Sequence, residues 1–160
     1  MATRSTIAIL RDDSTVAKVY CHWDGYLENN GRLLVENYDT QDRVEALIAG
    51  GDISSLGQVI GEKHPFDVFM KDKMSAEDQA LCERAEAESW TLYYGRDRGE
   101  TGVEAKVYKS LGDYEARAQF EEFNYCFIYG EWYYVSYDGV VRSVKDGLAA
   151  LAKDEELEAA

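Results

Sequence analysis

The chain has 160 residues, 46% hydrophobic and 12% aromatic, with 31 acidic against 17 basic side chains for a formal net charge of −14. That apolar content excludes a disordered chain despite 30% charged residues. The negative field excludes nucleic acid and anionic membrane surfaces as direct partners, and favours basic protein surfaces.

The length fits a single globular domain over residues 1–160, able to bury about two-thirds of the surface its unfolded chain exposes. No apolar run of membrane-spanning length occurs, and residues 1–10 lack the apolar stretch of a signal peptide, which leads to the expectation of a cytoplasmic protein. Cys21, Cys82 and Cys126 are far apart and form no C-x-x-C, so neither a disulfide framework nor a zinc site is expected.

Thr6–Leu10 and Val16–Cys21 are rich in β-branched residues and flank a polar run, the pattern of a hairpin. Two helices follow. One covers Arg32–Tyr38. The other, Gln41–Ala49, has Val44, Leu47 and Ile48 at helical spacing, with Asp39 or Thr40 as cap and Gly50-Gly51 as stop. Residues 52–57 read as a turn, and 61–65 as a loop because His64 precedes the only proline.

Ser75 begins a helix running to about Glu88, with acids at the positive end of its dipole. Trp90–Tyr94 reads as a strand, Gly95–Gly102 as a polar loop and Ala105–Lys109 as a short strand, before a helix from Ser110 to about Glu122. Tyr125–Tyr129 and Trp132–Tyr137 flank Gly130-Glu131 as a tight hairpin. Ser143–Glu158 is a last helix whose acidic end, residues 154–160, opposes the dipole and should fray. The order predicts an α+β domain: a mainly antiparallel sheet of about five strands with helices packed on one side.

The octapeptide Val-Tyr-Cys-His-Trp-Asp-Gly-Tyr, residues 19–26, concentrates the most varied chemistry. Strand alternation pairs Cys21 with Trp23 on the core face and sets Tyr20 and His22 on the other, with Asp24 near enough to orient the imidazole. A polar cleft rimmed by His22, Asp24 and Tyr26 is one reading, and a capped strand end is the other. Cys21 and His22 point to opposite faces and cannot form a nucleophilic pair. His22-x-Asp24 lacks a second ligand pair, so no catalytic residue, metal or other cofactor is expected.

Arg96 and Arg98 sit in a glycine-rich stretch of an anionic chain, and their planar forks suit carboxylate or phosphate. They pair with the protein's own acids, or they grip a small anionic or nucleotide-like ligand with His22, Trp23, Asp24 and Tyr26 around it. Tyr129, Trp132 and Tyr134 cannot all point inward, so some aromatic surface is left for protein recognition.

Residues 19–26, Gly51-Asp-Ile-Ser-Ser-Leu-Gly57, Gly61-Glu-Lys-His64 and Tyr94-Gly-Arg-Asp-Arg-Gly-Glu100 occur in one order. Together they resemble a family of small, acidic, uncharacterised bacteriophage and mobile-element proteins, over roughly residues 6–135. The resemblance implies a phage accessory product acting in the bacterial host cytoplasm, and it brings no established activity or site residues. The reading that follows is a non-enzymatic, possible anti-defence protein that binds and inhibits a basic host protein. Its contact would be a DNA-mimic-like acidic surface on helices 75–88, 110–122 and the C-terminal helix, with solubility as the plainer explanation of the charge.

Overall fold

The computed structural model describes residues 2–159, apart from the side chains of Val68 and Phe69. The first hairpin is as its pattern predicts: β1 (Ser5–Leu10) runs antiparallel to β2 (Val16–Cys21), with Ile7 opposite Val19. A short π-helical turn at Leu27–Gly31 leads into α1 (Arg32–Asn37), and α2 (Gln41–Ala49) starts where the Thr40 hydroxyl accepts the Arg43 N–H at 3.3 Å. α3 (Ala76–Glu88) and α5 (Leu111–Arg117) are capped the same way by Ser75 and Ser110. The remaining elements are β3 (Ile53–Ser55), β4 (Leu92–Tyr93), α4 (Tyr94–Arg98), β5 (Lys106–Tyr108), β6 (Phe123–Ile128), β7 (Glu131–Val135), β8 (Val141–Ser143) and α6 (Val144–Ala159).

The α+β class stands, but the sheet is larger than the five antiparallel strands expected. It has eight strands in the order β4-β3-β2-β1-β6-β7-β8, with β5 beside the start of β2. It is also mixed, because β1 pairs parallel with β6 and β2 touches β3 in parallel at Cys21 and Ile53. The extra strands are β3, read as a turn, and β8. Each has only three residues, too few for alternation to stand out from a loop. Gly95–Arg98, read as loop, instead belongs to the single helical turn α4.

Helices occupy both faces of the sheet, not the single side expected, because Ala8, Val16 and Cys126 give the second face an apolar patch that α5 covers. Ile7, Ile9, Val19, Tyr125 and Phe127 face one way and join Leu34 of α1, Leu47 of α2 and Val144 of α6 in the main core. Each such buried Ile or Phe contributes about 1.5–3 kcal/mol. Ala8, Val16 and Cys126 face the other way and meet Tyr114 of α5.

α5 ends at Arg117, with Ala118 extended after it, rather than running to Glu122. The next residues lie over the sheet: the Lys18 ammonium donates to the Gln119 carbonyl at 2.9 Å. The Asn124 side chain accepts the Glu121 N–H and donates to its carbonyl, both at 2.9 Å. These sheet-to-loop bonds replace the helical ones.

At the β6–β7 turn, Tyr129 and Gly130 both take positive φ, 48° and 84°, so the turn sits one residue earlier than the sequence pattern suggests. Trp132 and Tyr134 both enter the core, leaving Tyr129 as the exposed aromatic of the three.

Candidate functional site

The octapeptide splits as alternation predicts at one pair and not at the other. Tyr20 and His22 share a face, and the Tyr20 hydroxyl lies 2.7 Å from His22 Nδ1. That hydroxyl, rather than Asp24, is the partner of the ring. Cys21 is buried, and its thiol is pushed up to about 11 by desolvation. Trp23 is not its core partner: it is 44% exposed and meets the His22 ring edge-on at 4.6 Å.

The cause is backbone geometry. His22 and Trp23 still donate to the Ile53 and Ser54 carbonyls, but Asp24 takes positive φ (54°) and Gly25 packs where a Cβ would stand 2.6 Å from that of Ser5. The strand has ended before Trp23 could turn inward. Tyr26 stands exposed at the start of the π-helical turn.

Arg96 points into its own loop. Its guanidinium donates to both Asp97 carboxylate oxygens and to the Ile60 and Thr91 carbonyls, and it lies 4.8 Å over the Tyr93 ring. Four of the five N–H donors of the fork are spent within the protein. Arg98 is exposed, sits over Phe66 at 5.1 Å and pairs with Glu100 at 3.6 Å. Among the described residues, no hydrogen bond, ion pair or ring contact joins residues 22–26 to Arg96 or Arg98, and β3 with β4 lies between them. His64 is buried, with Nδ1 2.7 Å from the Glu62 carbonyl.

Two cavities open on the second face of the sheet, where α5 covers only part of it. The larger, about 650 Å³, runs between α5 and the β6–β8 strands. Leu111, Tyr114 and Phe120 line one wall, and Ile128, Tyr133 and Val141 the other. Tyr114 and Phe120 meet edge-on at 5.5 Å. At its mouth Tyr137 is 90% and Val141 64% exposed, unusual for large apolar side chains lying side by side on one surface.

The rim of this groove is acidic. No lysine or arginine is among the described residues that line it, and Arg117 on the neighbouring helix is held by Asp113 at 2.9 Å. Glu115 and Glu121 also line the groove, and neither forms an ion pair among the described residues. The groove therefore presents apolar rings edged with uncompensated carboxylates.

The second cavity, about 210 Å³, is polar. Lys18, Tyr20 and Thr6 form its floor from β1 and β2, with Asp52, Lys106 and Glu121 around them. Burial, then the neighbouring Lys106 charge, holds the Lys18 ammonium below the ordinary lysine range. Burial raises the Asp52 carboxyl, against the N–H that Tyr20 donates to it at 2.9 Å.

Sequence reasoning passed over Lys18, Asp52, Lys106, Phe120 and Val141. A signal existed for one of them: Lys18 interrupts a strand whose other residues are apolar, so it had to face something other than the main core. Among the described residues no group of three His, Cys, Asp or Glu side chains is placed to hold a metal ion, and no helix is long and apolar enough to cross a membrane. Comparison with protein-family models, curated proteins and solved structures finds no match to this chain.

Proposed function

We propose that the chain is a non-enzymatic binding protein that seats an apolar segment of a basic partner protein in the groove between α5 and β6–β8. The observation that carries this reading is the coincidence of exposed Tyr137 and Val141 with the unpaired carboxylates of Glu115 and Glu121 at one cavity. Apolar anchors supply affinity there, and the carboxylates select lysine or arginine beside them and speed encounter. The net charge of −14 extends the attraction beyond the groove.

The surface is drawn at the groove rather than along three acidic helices because α5 and α6 pack on opposite faces of the sheet. The setting we propose is that of a phage accessory protein that blocks a basic host protein in the bacterial cytoplasm, supported by the four sequence blocks. The alternative, an anionic ligand gripped by Arg96 and Arg98, draws no support from a guanidinium with four of five donors already used.

A synthetic peptide alternating lysine with leucine tests the proposal. It should bind, weaken steeply with salt, and lose affinity in Tyr137→Ala and Glu115→Gln; equal binding of a peptide with glutamate in place of lysine would overturn it.

A further inference from the structure

The polar cavity holds hydrogen-bonding capacity that the fold leaves unused. Lys18 is only 6% exposed, yet its ammonium makes one hydrogen bond, to the Gln119 carbonyl, and no ion pair among the described residues. An ammonium carries three donors, so two remain. The β2–β5 register places Lys106 directly opposite Lys18, with both side chains lining the same cavity. Like charges directly opposed across a strand pair repel. The Lys106 side chain forms no hydrogen bond or ion pair among the described residues. Asp52 and Glu121 line the same cavity, but neither forms an ion pair with either lysine among the described residues.

The two acids of the cavity stand elsewhere. Asp52 spends Oδ1 on the Tyr20 N–H, leaving its other oxygen as an acceptor, and Glu121 lines the far side with no ion pair. The Thr6 hydroxyl donates to Asn124, and the Tyr20 hydroxyl is bonded to His22. The open valences of the cavity are thus lysine donors beside carboxylate acceptors.

We infer that this cavity binds a small oxyanion that carries hydrogen-bond donors of its own, a hydroxy acid or a hydrogen phosphate, its oxyanion between Lys18 and Lys106 and its donors toward Asp52 and Glu121. Charge-assisted hydrogen bonds from two ammoniums hold the anion, and its charge removes the lysine–lysine repulsion. Asp52 and Glu121 reject an anion that has no donor to offer them, because each would then face like charge unpaired. The volume of about 210 Å³ limits the ligand to small molecules.

The test uses glycolate, inorganic phosphate and acetate as separate probes, read by amide chemical-shift changes in the full chain. Glycolate and phosphate should shift the Thr6, Tyr20, Asp52 and Gln119 signals, and acetate, which lacks a donor, should bind about tenfold more weakly. Binding by glycolate with none by phosphate identifies a carboxylate ligand, and the reverse a phosphate. Lys106→Gln, at an exposed position that the fold tolerates, should weaken the better probe about tenfold, and Lys18→Met should abolish its binding. Absence of localised shifts with all three probes, equal binding of acetate, or undiminished binding by Lys106→Gln would overturn the assignment. Lys106→Gln replaces no residue of the apolar groove, so with that variant failure here is distinguishable from failure of the partner-binding reading.

Discussion

Arg96 and Asp97, neighbours in sequence, form a two-pronged ion pair at 2.9 and 3.1 Å around which the 60–64 and 91–97 segments are tied. The Asp97 side chain is fully buried and also accepts the backbone N–H groups of His64 and Tyr93. The arginine that looked most suited to hold a ligand is a clamp within the fold. Arg96→Ala leaves a buried carboxylate without its countercharge and should cost about 3–5 kcal/mol in urea unfolding. Arg98→Ala, at a surface pair, should change stability by less than about 1 kcal/mol. Equal effects of the two variants would show that the clamp does not contribute as described.

Asp52 makes a pH-dependent contribution whose sign follows from its raised carboxyl. The unfolded state ionises first as pH rises, so between the ordinary aspartate value, about 3.9, and the higher folded value the native state binds more protons and stability falls with pH. Asp52→Asn keeps an acceptor for the Tyr20 N–H and removes this slope. Stability measured across that window should decline in the parent and not in the variant, which should be at least as stable at neutral pH. An unchanged slope in Asp52→Asn would place the titration elsewhere.

Cys21 and Cys126 are buried, with thiols pushed up to about 11 and about 12 by desolvation. Thiolate is the reactive form, so at pH about 8 both should resist an aromatic disulfide reagent until denaturant is added. Rapid labelling of either in the native protein would contradict the packing of its strand.

The elements carried by strong local signals were legible in sequence. Ser75 and Ser110 mark helix starts by their side-chain oxygens, as does one of Asp39 and Thr40, of which Thr40 is the cap, and the β1–β2 and β6–β7 hairpins show in β-branched and aromatic runs. What escaped the reading depends on distant partners. β3 and β8 are strands because of what they pair with, Tyr93 for one and β7 for the other, and their three residues carry no periodicity.

The candidate site was hidden for the same reason. Lys18 and Lys106 become neighbours only through the β2–β5 register, and Phe120 faces Val141 across the groove only because the chain leaves α5 early. His22 and Arg96 drew notice by residue type, yet the ring is bonded to Tyr20 and the guanidinium to Asp97. Residue chemistry showed which side chains could hold a ligand, and tertiary contacts decided which had donors left to do so.

Tyr137 and Val141 should contribute to partner binding out of proportion to their effect on folding. Both are exposed, so Tyr137→Ala and Val141→Ser should shift stability by about 0.5 kcal/mol or less. Each should cost more than about 1 kcal/mol in binding the lysine–leucine peptide, by fluorescence anisotropy, if they are anchors. Loss of binding that only parallels loss of stability would assign them to the fold.

The most direct test of the groove is to map that peptide on the whole chain by amide chemical shifts. Changes should be confined to residues 111–121 and 126–141 and be reduced by salt and by Glu115→Gln. Changes centred on α3, on α6 or on residues 22–26 and 96–98, or no localised change at all, would contradict the proposal.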